Sequence, residues 1–267
     1  MFLLSVSLNA ITIPIVVFLI ITTVILVLKV FKNNRALSEK VVYYALLFLL
    51  VYKTAHYLLY CTVLDHTWSK LVPVEISQVS YFLWPIAYLS GNKWIRDSGR
   101  FIALFAGLVQ LVALAVSPQS FVATVDLTYV SLVESTFVHY ILFATALISI
   151  TCIEEIEVEN LWQTQLGLFI VLMWGVLAAY TWRFDHVNGK PENIMFLHEC
   201  VLPKELIALW PWLGRGHNFI IPYLIAYFGY TAMVYLISHY AFKNQKHQEK
   251  TVFGAGFIKS NYIKVLK

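Results

Sequence analysis

Charge is scarce in this chain. Only 13% of its 267 residues are Asp, Glu, Lys or Arg, about half of what a soluble domain carries. That scarcity excludes an ordinary soluble globule, and the net +4 is no nucleic-acid patch, because the Lys and Arg residues fall between and after apolar runs. Cysteine is nearly missing too: Cys61, Cys152 and Cys200 are too far apart for a metal knuckle or a disulfide framework. No G-x-S-x-G, H-E-x-x-H or glycine-rich phosphate loop occurs. No internal repeat marks an inverted-repeat transporter. Residues 1–10 hold no basic cluster, so the first apolar run is read as a signal-anchor and not as a cleaved leader. His186, His198, Glu199 and His217 lack ligand spacing, and neither a metal nor a cofactor is expected.

What the chain has instead is hydrocarbon. Hydrophobic residues make up 60% of it and aromatics 16%. Apolar stretches at about residues 9–31, 40–64, 72–91, 101–117, 135–153, 163–182 and 218–242 are mostly as long as the roughly 20 residues a helix needs to cross a bilayer. The expectation is an all-α polytopic membrane protein, a seven-helix transmembrane bundle over residues 1–242, followed by a basic tail at 243–267. Lys29, Lys32, Arg35 and Lys40 lie between the first two spans, Lys93, Arg96 and Arg100 between the third and fourth, and six lysines in the tail. The positive-inside rule then places the N-terminus outside and the C-terminus in the cytoplasm of a cell whose plasma membrane the protein crosses. Glu154, Glu155, Glu157 and Glu159 have no basic neighbour in sequence and read as a solvated helix end. Residues 183–217 form the one long connection, an outer loop or lid carrying Asp185, His186, Asn193, His198, Trp210 and Trp212.

A few polar residues stand inside the spans: Lys53 and His56, Glu75, Ser77 and Gln78, Gln110, Glu134 and His139. A charge at bilayer depth costs about 2.5–3.5 kcal/mol even on the lenient insertion scale, so such groups turn toward each other and the bundle interior. In this topology all of them fall in the outer half. The inner halves, Val41–Leu50, Tyr81–Leu89, Phe101–Leu108 and Ile141–Ile150, hold no acid, base or amide. A polar pocket closed below by apolar packing is expected, with Lys53 and Glu75 as a possible ion pair and His56 and Gln110 as interhelical hydrogen-bond partners. Glu75 and Gln78 share a helix face, as do Lys53 and His56. Ser77 points about 200° away from Glu75.

The order Val72-Pro73-Val74-Glu75-Ile76-Ser77, Gln110, Phe137-Val138-His139, Asn193-Ile194-Met195-Phe196-Leu197 and Trp210-Pro211-Trp212 resembles the YwaF-type family of seven-helix bacterial integral membrane proteins over roughly residues 70–240. That family is distantly similar to a eukaryotic multi-pass phospholipid acyltransferase and to androgen-inducible fatty-acid-ester hydrolases. The resemblance implies a nucleophile at Ser77, where those proteins carry Cys or Thr, and a catalytic histidine at His139.

Two classes of function follow as expectations. In one, Ser77 attacks a lipid ester, His139 relays its proton, and Glu75 or Glu134 orients the imidazole. In the other, Lys53, His56, Gln78, Gln110 and Glu134 line a site that binds or moves a headgroup or small solute without chemistry, or the chain is a pseudoenzyme or assembly subunit beside another membrane protein. Membrane lipids are the expected partners in either case, and nucleic acid is not.

Overall fold

A computed structural model of the chain describes residues 2–59, 73, 75–116, 129–181, 184–185, 190–191, 204–215, 218, 221–222 and 225–243. Helix α1, Phe2–Leu26, runs on into a π-helical turn at Val27–Phe31. It is followed by α2, Arg35–Leu59; α3, Ile76–Leu89; α4, Lys93–Val116; α5, Tyr129–Ile148, extended by a second π-helical turn at Ser149–Ile153; and α6, Leu161–Thr181. A short α7 at Lys204–Leu209 and a last helix, α8, over residues 225–243 complete the set. Two-residue strands β1, Phe184–Asp185, and β2, Lys190–Pro191, pair antiparallel and put Asp185 opposite Lys190. Among the described residues, five helical segments are long and apolar enough to cross a membrane: Ile11–Phe31, Arg35–Leu59, Lys93–Ala115, Val133–Ile153 and Val158–Ala178. The chain is an all-α membrane protein, the two-residue strands being its one departure from helix among the paired elements described.

Helix α4 is the hub. It packs against α1, α3, α5 and α6, and Tyr230 of α8 donates its hydroxyl to the Phe101 carbonyl at 2.9 Å. Close approach to α5 rests on Gly107: a Cβ there would meet the Phe143 backbone nitrogen at 2.6 Å and the His139 carbonyl at 2.7 Å. Only a residue without a side chain lets two backbones come so near. Around this seam lie Leu46, Leu49, Trp84, Phe101, Ile102, Leu142 and Ile150, all fully buried. Helix α1, by contrast, turns Ile11, Phe18, Ile21 and Ile25 outward, more than half exposed, as a helix facing lipid does.

Two expectations are corrected by the start of α4. The hydropathy run begins near residue 101, yet the helix begins at Lys93. Gly91, at φ 69°, closes the turn after α3, and the Asn92 side chain accepts the Trp94 amide at 3.0 Å, capping α4. Arg100, read above as a loop cation, is therefore inside the helix and wholly buried. Its guanidinium donates to Asp97 Oδ1 at 2.5 Å, to the Glu154 carbonyl at 2.6 Å and to the Glu155 carbonyl at 3.4 Å. In effect it caps the open end of the Ser149–Ile153 turn, whose last carbonyls have no helical donors. The inner flank is thus not sealed by hydrocarbon alone.

The glutamate run is corrected in the same place, since it is paired and not merely solvated. Glu154 meets Arg96 at 2.5 Å, Glu157 meets Lys93 at 2.8 Å, and Glu155 lies 3.2 Å from His239 of α8. Its partners sit about 60 residues upstream and 84 downstream, beyond the reach of local reading.

Candidate functional site

On α2 the residues Val42, Leu46 and Leu49 repeat at helical spacing and are fully buried. The next positions of that stripe are Lys53 and His56, which are thereby carried inward where the apolar series would have continued. On α3 one face reads Ser77, Tyr81, Trp84 and Tyr88, and on α5 it reads Ser135, Val138, His139 and Leu142. Three helices therefore bring their polar residues together at the ends remote from Arg100.

Lys53, 6% exposed, ion-pairs with Glu134: Nζ lies 2.6 Å from Oε1. His56 Nδ1 approaches the same oxygen at 3.7 Å. The Lys53 ammonium also stands 4.7 Å from the Tyr81 ring centroid and 5.7 Å from that of Tyr52, cation–π distances. Opposite charges in contact are how ionised groups persist at membrane depth.

His139 is buried beneath this pair. Its Nδ1 lies 2.6 Å from the Ser135 carbonyl one turn earlier, and a carbonyl can only accept, so Nδ1 carries the proton and Nε2 is left as an acceptor. The Tyr81 hydroxyl is 3.1 Å from Nε2 and donates to it. Ser77 stands one turn back on the same face of α3. The hydrogen bond the structure shows is the one from Tyr81 to His139.

The first turn of α3 is held separately. Glu75 is its N-cap residue, and its backbone N–H donates to Gln78 Oε1 at 3.3 Å. The Trp174 indole of α6 donates to the Pro73 carbonyl at 2.8 Å, fixing the approach to that cap.

The structure brings together Lys53, His56, Glu134, Ser77 and His139, as the polar pattern suggests, but pairs them differently. Lys53 bonds Glu134 and not Glu75. Neither Glu75 nor Glu134 orients the imidazole; the Ser135 carbonyl does. Glu75 and Gln78 serve the helix start, and Gln110 is half-buried on α4 outside the bonded cluster. Of the lid residues, Trp210 and Trp212 are exposed and Asp185 lies in β1; His186, Asn193 and His198 fall outside the described residues. Among the described residues no three His, Cys, Asp or Glu side chains form a metal-binding group. Tyr81 and Ser135 were not picked out by charge or amide content. Their signal was spacing, since each stands four residues from a residue that was.

Comparison of the chain with family models, with curated proteins and with solved structures finds no match.

Proposed function

We propose that this is a multi-pass plasma-membrane protein of YwaF type that cleaves or transfers an acyl group from a membrane-lipid ester, with Ser77 as nucleophile. In this reading α3 and α8 join the five long apolar helices as further spans, the N-terminus is outside and the C-terminus cytoplasmic. The packing of α3 and of α8 against α4 supports counting them as part of the bundle. The observation that carries the chemistry is the 3.1 Å contact from the Tyr81 hydroxyl to His139 Nε2, with Ser77 one helical turn before Tyr81 on the same face of α3.

The step runs as a relay. Ser77 Oγ attacks the ester carbonyl while its proton passes to the Tyr81 oxygen, and the Tyr81 proton passes to Nε2. The imidazolium so formed keeps its Nδ1–H on Ser135. Lys53, close over the phenol ring, favours the negative charge that develops on the tyrosyl oxygen, and Glu134 offsets the charge of Lys53. First-turn amides of α3, which have no acceptors within the helix, point toward the end where the carbonyl oxygen becomes an oxyanion. Collapse of the adduct leaves an acyl-Ser77 ester and returns the proton to the departing lipid alcohol. Water or a second alcohol then reverses the sequence.

The test is release or exchange of fatty acid from phospholipid by the purified protein in detergent micelles. Ser77→Ala should abolish turnover, and Tyr81→Phe should lower it by about 10²–10⁴. Wild-type turnover that survives both substitutions would remove the proposal.

One observation favours a second reading. Ser77 does not touch the imidazole directly, and Glu134 and His56 are the more accessible members of the cluster, 22% and 38% exposed in their side chains. A site that binds a headgroup or solute through that pair, without chemistry, would hold lipid stoichiometrically and release no fatty acid.

A further inference from the structure

Residues that the ester reading leaves unused gather at the opposite end of the bundle. There the start of α2, the end of α3, the start of α4 and the turn after α5 border an open cavity of about 490 Å³, walled by Arg35, Glu39, Lys40, Tyr88, Arg96 and Glu154. This is within the size range of small-ligand sites. Its charges do not cancel. Arg35 holds Glu39 at 2.9 Å and Arg96 holds Glu154 at 2.5 Å, so both wall carboxylates are neutralised. Lys40 is exposed and has no carboxylate partner among the described residues. With Arg35, Lys40 and Arg96 set against Glu39 and Glu154, the wall keeps one unmatched positive charge, on Lys40, which suits a singly charged oxyanion such as a phosphodiester.

The rest of α2 shows what that phosphodiester is attached to. Tyr43 and Tyr44, both lining the cavity, are 42% and 66% exposed and meet edge to face at 5.3 Å. Amphipathic rings of this kind belong to the headgroup layer. Below them on the same face follow Leu47, Phe48 and Val51, all exposed. The series Lys40, Tyr43 and Tyr44, then Leu47, Phe48 and Val51, repeats at helical spacing, so cation, aromatic belt and aliphatic strip lie in one line down the helix. A phospholipid has the same order: phosphate, glycerol backbone, acyl chain. A free phosphate ion would need the cavity but not the strip.

We propose that this cavity holds the headgroup of one anionic phospholipid, its phosphodiester on Lys40 and its chains along the Tyr44–Val51 face of α2. The site is independent of Ser77, and either assignment can fail alone. The experiment is native mass spectrometry of the full-length protein in detergent, titrated with phosphatidylglycerol or with phosphatidylcholine. The expected result is one phosphatidylglycerol bound about fivefold or more tightly than phosphatidylcholine, lost in Lys40→Gln and kept in Lys40→Arg. Lys40 is exposed, so its replacement leaves the packing intact, and an unchanged melting temperature checks this. Ser77→Ala should bind as wild type does. Equal binding of the two lipids, or a Lys40→Gln protein that keeps the preference, would overturn the proposal. So would displacement of the lipid by millimolar inorganic phosphate, which would make the cavity a free-anion site.

Discussion

Arg100 and Lys53 are both buried cations at the core of one helix bundle, yet they are held in opposite ways. Arg100 takes its carboxylate from its own helix, three residues away, and donates to the main-chain carbonyls of Glu154 and Glu155, its Nε having no partner among the described residues. Apart from Asp97, what it bonds is main chain. Lys53 takes its carboxylate from another helix, 81 residues away, shares it with His56, and rests on the face of Tyr81. The first arrangement fastens a chain end; the second leaves side-chain groups, among them a neutral imidazole, next to one another. A buried charge in a membrane protein is therefore a sign of function only when its partners are side chains with chemistry of their own.

Perturbing the two ends should separate them, beginning with the fastening. Arg100→Gln leaves Asp97 buried without its cation and strips the carbonyls at 154 and 155, a loss of about 3–5 kcal/mol. Thermal unfolding in detergent should show a collapsed transition or no folded yield. A near-wild-type melt would erase the distinction drawn here. Gly107→Ala drives a methyl into the backbone of α5 and should cost about 1–3 kcal/mol in the same assay. Because that methyl also presses on the His139 carbonyl, turnover should fall beyond what the lost stability explains. At the other end, Lys53→Met, Glu134→Gln and the double variant form a cycle whose coupling should be near 1 kcal/mol, well under the Arg100 loss, since Glu134 keeps His56. Additive single losses would mean that the pair is incidental. Tyr81→Phe should have the smallest effect on stability, about 1 kcal/mol or less, while producing the large loss of turnover given above. Matching losses in stability and turnover would reduce Tyr81 to a packing residue.

The membrane class was plain in the composition, and most of the polar cluster could be picked out of the spans one residue at a time. Lys53 and His56 interrupt an apolar stripe at the positions where the stripe requires a buried residue, and His139 does the same on α5. Partner choice was not legible. Whether Lys53 meets Glu75 or Glu134 depends on how α2, α3 and α5 are rotated against one another, which the packing between helices decides and single-helix periodicity does not. Tyr81 does not stand out in the sequence because a tyrosine in a membrane segment passes for an amphipathic ring, although its hydroxyl is the group that meets the histidine. Arg100 reads as a loop residue in the sequence because a hydropathy window takes any charged turn as the end of a helix. Here two of those charges satisfy each other and the turn continues.

Between the two polar ends lie Leu46, Leu49, Phe101, Ile102 and Leu142, all fully buried, with the Trp84–Thr145 hydrogen bond among them. None of the side chains named in that layer is charged, so it is a poor path for ions, and in the proposed function the site around His139 trades its protons at the Lys53–Glu134 end.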